Sequence, residues 1–148
     1  MYKRQDYVNS ILAKREALLD GYDEAIMLDS QGFVAEASGE NLFLVRGGEI
    51  TTPPLPTVLA GITRATALEL AREKGIGITE RALGRDELYI ADELFLTGTA
   101  AEVTPIREVD HRTVGEGRRG PIAGALQQAF FDVVTGRNRK YERWLHYL

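Results

Sequence analysis

Apolar residues recur at helical spacing in three parts of the chain, and a glycine of the kind that ends helices follows each part. The predicted helices and their closing glycines are residues 6–20 with Gly21, residues 62–74 with Gly75, and residues 122–134 with Gly136. In the second helix, the spacing places Ile62, Ala65, Leu68 and Ala71 on one face. Pro121 stands where proline is favoured, in the first turn of the third helix.

Between the helices the pattern changes to short alternating runs, which predict strands. These strands are residues 24–29, 33–36, 41–46, 49–51, 76–82, 93–97 and 102–104. Gly47-Gly48 predicts a two-residue hairpin turn, and residues 85–88 predict a short helical turn. Helices mixed with closely connected strands indicate an α/β or α+β fold with a largely antiparallel or mixed sheet.

Composition then narrows the class of protein. The 148 residues are 44% hydrophobic and 27% charged, which is typical of one soluble globular domain. There is no cysteine, which excludes a disulfide, a thiolate zinc site, an iron–sulfur cluster and a cysteine nucleophile. The only histidines are His111 and His146, and we expect no metal site.

Charge and hydropathy argue against two classes of partner. The net charge of −4 and the lack of a dense basic run indicate that the protein does not bind nucleic acid. No stretch approaches the roughly 20 apolar residues of a membrane span, and the first residues lack the apolar segment of a secretory signal. We therefore expect a cytoplasmic protein without membrane contact.

Three short segments are candidates for chemistry, although dinucleotide, P-loop and serine-hydrolase motifs are absent. Residues 59–63 place glycine and threonine at a predicted helix entrance, which suits either a phosphate or an ordinary helix cap. Residues 97–101 are small and polar, and suit either an anion held by backbone amides or a close-packed crossing. Glu36 lies among apolar strand residues, either facing solvent or buried against a cationic partner.

Taken together, these segments describe a pocket with one carboxylate and two anion-binding loops. A ligand that matches has a phosphate, a basic ring nitrogen and an attached substrate carboxylate. Pyridoxal 5′-phosphate carrying an amino acid is such a ligand.

Four motifs extend these segments. They are Glu36-Ala-Ser-Gly-Glu-Asn-Leu-Phe43, the stretch from Thr52-Pro-Pro-Leu55 to Gly61-Ile-Thr-Arg64, Thr97-Gly-Thr-Ala-Ala-Glu-Val-Thr-Pro105, and Gly120-Pro-Ile122 through Gln127-Gln-Ala-Phe-Phe131. In this order they resemble the C-terminal domain of branched-chain amino acid aminotransferases, which are class IV, fold-type IV pyridoxal phosphate enzymes. The resemblance runs from about Tyr7 nearly to the C-terminus and implies the C-terminal domain of the D-amino acid aminotransferase-like fold.

The resemblance also implies roles for individual residues. The residues that would bind the cofactor are Tyr7, Glu36, Gly61, Ile62, Thr63 and Thr99. Glu36 would hold the pyridine nitrogen protonated, Tyr7 would hydrogen-bond the phenolic oxygen, and the other four would bind the phosphate. The backbone amides of Thr99 and Ala100 would bind the α-carboxylate of the substrate.

The activity that the resemblance implies is amino-group transfer between leucine, isoleucine or valine and 2-oxoglutarate, in branched-chain amino acid biosynthesis by a homo-oligomeric full-length parent. D-amino acid aminotransferase and aminodeoxychorismate lyase share the glutamate and the phosphate-binding segment, and both stay open as alternatives. An alternative of another class is a noncatalytic fragment or ligand-binding module.

One departure concerns the lysine that forms the Schiff base. The family places it five residues before the tyrosine matching Tyr7, in a Lys-Ala-x-Gly-x-Tyr pattern, where this chain has Tyr2. Lys3 is one position away, so the catalytic lysine is absent and the catalytic residue is unknown. We expect residues 1–5 to be a non-native leader, residues 6–148 to form one cofactor-binding domain, and the family's N-terminal domain to be missing.

Overall fold

The computed structural model describes residues 7–146, so the expected leader at residues 1–5 lies outside the described part. The elements in chain order are α1 (Val8–Leu19), β1 (Ile26–Leu28), β2 (Val34–Ala37), β3 (Asn41–Arg46), β4 (Glu49–Thr52), α2 (Ile62–Glu73), β5 (Ile78–Glu80), a 3₁₀ helix (Arg85–Ile90), β6 (Glu93–Gly98), β7 (Glu102–Ile106), β8 (Glu108–Val109), β9 (Arg112–Thr113), α3 (Pro121–Val134) and a second 3₁₀ helix (Arg139–Trp144). Within this part of the chain, no helix has the length and apolar character to cross a membrane.

The central sheet has five strands in the order β5-β4-β3-β6-β7. β4 and β5 are parallel, and the other neighbouring strands of this sheet are antiparallel. The prediction of a mixed sheet in an α/β fold is therefore confirmed. The predicted hairpin at Gly47-Gly48 is also confirmed, and both glycines have the positive φ (58° and 83°) that such a turn requires.

Apolar side chains cover both faces of this sheet. Along β3, Phe43 and Val45 face one core with α2 and α3, whereas Leu42 and Leu44 face a second core. Phe43 stacks on Phe95 of β6 with ring centroids 4.9 Å apart. Because alternate residues of a strand point to opposite faces, a nearly continuous apolar run is what a strand between two cores requires.

The predicted helices are confirmed, and of the predicted face of α2, Leu68 and Ala71 are buried whereas Ile62 and Ala65 are not. Ile62 is 85% exposed and Ala65 is also exposed. The buried residues of α2 are Thr63, Arg64, Ala67, Leu68, Leu70 and Ala71. Positions 63, 67, 70 and 71 also follow helical spacing, as the predicted positions do. This stripe is the one that is buried, because α2 packs against α3 as well as against the sheet.

The segment after α3 is polar in sequence, yet it anchors to the domain. Tyr141 in the second 3₁₀ helix is 2% exposed, and its hydroxyl donates a 2.8 Å hydrogen bond to Glu73. Burial and the neighbouring carboxylate raise the pKa of Tyr141, so the hydroxyl keeps the proton that it donates. Helix α1, in contrast, is not anchored by a buried side chain, because none of its residues is buried.

A buried carboxylate positions α3. Glu93 of β6 is 7% exposed and accepts hydrogen bonds from the backbone amides of Ile122 (3.0 Å) and Ala123 (2.8 Å). These amides lie in the first helical turn and have no intrahelical acceptor. A Cβ on Gly120 would lie 2.1 Å from the Cδ of Glu93, so this position requires glycine. The Gly120-Pro-Ile122 motif is therefore explained by the docking of Glu93.

We expect Glu93→Ala to lower the free energy of unfolding by about 2–3 kcal/mol, because it leaves buried amides without an acceptor. Chemical denaturation followed by circular dichroism measures this change. Glu116→Ala removes an exposed carboxylate near the same helix and is the matched control, with an expected effect within about 0.5 kcal/mol. Equal effects of the two variants would contradict the docking role of Glu93.

Candidate functional site

The predicted site segments meet where β3 begins and β6 ends. Asn41, the first residue of β3, lies directly opposite Thr97 of β6, so the two side chains share one face of the sheet. Around this pair lie the loop after β2, the segment that precedes α2, and the turn between β6 and β7. Antiparallel pairing of β3 with β6 thus brings distant parts of the sequence to one end of the sheet.

Glu36 is half-buried on β2, and its carboxylate has a defined orientation. Oε2 accepts a 3.0 Å hydrogen bond from the backbone amide of Leu59 and another of 3.0 Å from Nδ2 of Asn41. Both partners donate, so the two hydrogen bonds fix the direction in which Oε2 points. Of the two interpretations of Glu36, a position simply facing solvent does not describe this geometry.

The N-terminus of α2 lies beside the same asparagine. Gly61 is the N-cap residue and supplies no side-chain cap, and the first turn contains no acidic residue. A Cβ on Gly61 would lie 2.2 Å from Oδ1 of Asn41, which explains the glycine. Thr63 is buried and Ile62 projects outward, so Ile62 can act in a site only through its backbone. Such a helix end carries partial positive charge and suits an anion.

The second anion-binding candidate is the turn that follows Gly98. Thr99 and Ala100 are exposed in this turn. A Cβ on Gly98 would lie 3.0 Å from Cγ of Glu40, and one on Gly39 would lie 3.1 Å from the hydroxyl of Tyr7. Tyr7 and the Thr99 turn therefore both adjoin the loop after β2.

These contacts connect the predicted residues in two groups. Glu36 and Gly61 are joined through Asn41, whereas Tyr7 and the Thr99 turn are joined through Gly39 and Gly98. The pairing of Asn41 with Thr97, which directly precedes Gly98, joins the groups. That Thr63 and Thr99 contact the same phosphate stays a prediction.

Two residues of this region lie within the predicted segments 36–43 and 97–101, but neither is assigned a role of its own from the sequence. Asn41 and Thr97 are 4% and 1% exposed, and Oγ1 of Thr97 makes no hydrogen bond within the described residues. The available signal was polarity at a strand end, since an amide and a hydroxyl adjoin the apolar runs 42–45 and 94–96. Buried polar groups of this kind require partners, and here they lie next to the helix end.

Acidic residues also adjoin the Thr99 turn. Burial raises the pKa of Glu40, and the carboxylate of Glu24 raises it further. Burial alone would raise the pKa of Glu24 too, but hydrogen bonds from Lys14 and Ser38 lower it overall. Lys14 lies 2.7 Å from Glu24.

The comparisons with known proteins agree with this geometry. The amino-transferase class IV family pattern matches residues 1–109. The branched-chain-amino-acid aminotransferase of Pseudomonas aeruginosa is 56% identical over 138 residues, which are 93% of this chain and 45% of that protein.

Solved structures show the same similarity. Crystal structures of the T.th. branched-chain amino acid aminotransferase, with pyridoxamine 5′-phosphate, N-(5′-phosphopyridoxyl)-L-glutamate or 4-methylvaleric acid, superpose with a TM-score of 0.93 at 50% identity. They cover 95% of this chain and 47% or 48% of the solved chains. The chain thus spans about half the length of its relatives. The family match covers most of the sequence, and the chain belongs to the amino-transferase class IV family.

Proposed function

We propose that this chain is the cofactor-binding C-terminal domain of a branched-chain amino acid aminotransferase. The full enzyme transfers amino groups between leucine, isoleucine or valine and 2-oxoglutarate with pyridoxal 5′-phosphate. The observation that carries the proposal is the placement of the oriented Glu36 carboxylate beside the uncapped N-terminus of α2. The names of the relatives support the same activity.

The residues present fit this cofactor in their chemistry. A phosphate requires hydrogen-bond donors and positive potential, and the first turn of α2 offers both. The buried hydroxyl of Thr97 makes no hydrogen bond within residues 7–146, and it lies opposite Asn41, which contacts Gly61. A protonated ring nitrogen requires an acceptor, and Glu36 supplies a carboxylate. Among residues 7–146, no group of three or more histidine, aspartate or glutamate side chains is placed to hold a metal ion.

Each of the predicted site residues then has a defined role. When bound, the cofactor supplies an electron sink for the α-carbon of the substrate. Glu36 holds the proton on the ring nitrogen through a charge-assisted hydrogen bond. Tyr7 donates to the phenolic oxygen, and Gly61, Ile62, Thr63 and Thr99 bind the phosphate. The amides of Thr99 and Ala100 orient the substrate by binding its α-carboxylate.

The choice of substrate rests on the relatives. The T.th. enzyme was solved with 4-methylvaleric acid, which has the carbon skeleton of leucine, and with a phosphopyridoxyl derivative of glutamate. These compounds correspond to the two halves of the proposed reaction. We further propose that the enzyme is a cytoplasmic homo-oligomer, and that the 148-residue chain alone is inactive because Tyr2 stands where the family has its lysine.

The complete protein that contains this chain tests the proposal. We expect it to form glutamate from 2-oxoglutarate with leucine, isoleucine or valine as amino donor, measured by a coupled glutamate assay. A preference for D-alanine would favour D-amino acid aminotransferase, and release of 4-aminobenzoate from aminodeoxychorismate would favour the lyase. Failure to bind pyridoxal phosphate would favour a noncatalytic module.

A further inference from the structure

The side chain of Asn41 contacts both ends of the candidate site. Nδ2 donates a 3.0 Å hydrogen bond to Oε2 of Glu36 and a 2.9 Å hydrogen bond to the carbonyl oxygen of Leu59. Oδ1 occupies the space in which a Cβ of Gly61 would lie. Both amide protons of this side chain are therefore used, one toward the carboxylate and one toward the segment that leads into α2.

These hydrogen bonds connect Asn41, Glu36 and Leu59 in a ring. Besides receiving the bond from Asn41, Glu36 accepts one from the amide of Leu59, and the carbonyl of Leu59 also accepts one from the amide of Gly61 at 2.8 Å. The carboxylate of Glu36 is thus connected to Leu59 by one hydrogen bond, and Leu59 to Gly61 by another. Asn41 is 4% exposed, so water cannot readily replace its donors. Hydrogen bonds thus link the Glu36 carboxylate to the segment that leads into α2.

We propose that Asn41 is a positioning residue that couples the ring-binding and phosphate-binding ends of the site, so that occupation of one end strengthens binding at the other. The inference rests on the proposed function, because it assigns the two ends to one cofactor. Asn41 touches neither reacting atoms nor substrate in this role, and it acts through Glu36 and Gly61. A buried side chain with a purely structural role would hold the fold together without linking the two affinities.

The coupling is measured with two separate halves of the cofactor in the complete protein that contains this chain. Pyridoxine reports on the ring end and inorganic phosphate on the helix end. We expect saturating phosphate to lower the dissociation constant of pyridoxine about fivefold, which is typical of a coupled pair of sites. In Asn41→Ala we expect this enhancement to disappear, and in Asn41→Asp, which keeps the shape but loses the donors, we expect the same loss.

Thr52→Val is the matched control. Thr52 is fully buried in the neighbouring strand β4, and its hydroxyl donates a 2.7 Å hydrogen bond to the carbonyl of Leu42, so its loss removes a comparable hydrogen bond from the same sheet. We expect this variant to lower the melting temperature as Asn41→Ala does, yet to retain the phosphate enhancement. Gly61→Ala, which displaces Oδ1 of Asn41, should lose the enhancement with Asn41 itself unchanged.

Failure of the inference is distinct from failure of the proposed function. Retention of the enhancement in both Asn41 variants, its absence from the unmodified protein, or its loss in Thr52→Val overturns the coupling role. Failure of the unmodified protein to bind pyridoxal 5′-phosphate overturns the proposed function itself, and the inference with it.

Discussion

Replacement of Glu36 by glutamine is expected to lower turnover about ten- to hundredfold, because a charge-assisted hydrogen bond of this kind is worth about 1.5–3 kcal/mol. A neutral amide cannot hold a proton on the ring nitrogen as a carboxylate does. Cofactor affinity should fall much less, since the phosphate-binding residues are unchanged. The fold should also be kept, because the amide oxygen of glutamine can still accept the hydrogen bond from Leu59.

Steady-state kinetics and cofactor titration of the complete protein measure the two effects separately. Glu49→Gln, an exposed glutamate on β4 of the same sheet, removes the same charge outside the site and should leave both quantities unchanged. Unchanged turnover in Glu36→Gln would rule out the proposed role of this carboxylate. A loss of affinity as large as the loss of turnover would assign Glu36 to cofactor retention instead.

The helices and strands could be predicted because the sequence marks them locally. Gly21, Gly75 and Gly136 stand where helices are predicted to end, and each has the positive φ expected there. Strand β3 matches its predicted bounds because its apolar run lies between a polar loop and a two-glycine turn. Such signals depend only on neighbouring residues, which is why a single sequence reveals them.

The missed features depend on distant residues. The buried face of α2 is set by the sheet and α3, and helical spacing alone fits more than one face. The hairpin of β8 and β9 has no counterpart among the predicted strands, and its Asp110 and His111 adopt positive φ without glycine. Asp110 has its pKa lowered by hydrogen bonds from Tyr89 and Arg85, contacts that no local pattern indicates.

The candidate site likewise has residues that the sequence predicts and contacts that it does not. Glu36, Gly61 and Thr99 lie in recognisable motifs, so each could be identified from the sequence as a candidate site residue. Asn41 connects Glu36 with Gly61, through hydrogen bonds of 3.0 Å to Glu36 and 2.9 Å to Leu59 and through the close approach of Oδ1 to Gly61. A buried asparagine at a strand start has no distinctive spacing. Its importance is visible only when the partners of its amide are known.

The chain as printed is expected to show no transamination of leucine and no pyridoxal adduct on Lys3 that borohydride can trap. Amino-group transfer requires a lysine amine held at the aldehyde carbon of the cofactor, in a site that sets its position and pKa. In the family's spacing that position is Tyr2. Lys3 is one residue further on in the sequence, outside the family's spacing.

Mass mapping of peptides after reduction with borohydride locates any adduct. Lys14 and Lys140 are ion-paired with Glu24 and Glu73, and neither stands at the family's lysine position, so adducts there would represent nonspecific reaction. Such adducts should form equally in Glu36→Gln, which provides the control. An adduct on Lys3 that forms in the unmodified chain, falls in Glu36→Gln and accompanies transamination of leucine would show that the alignment of Tyr7 with the family tyrosine is wrong. If no such adduct forms, the result agrees with the alignment in which Tyr2 stands at the family's lysine position.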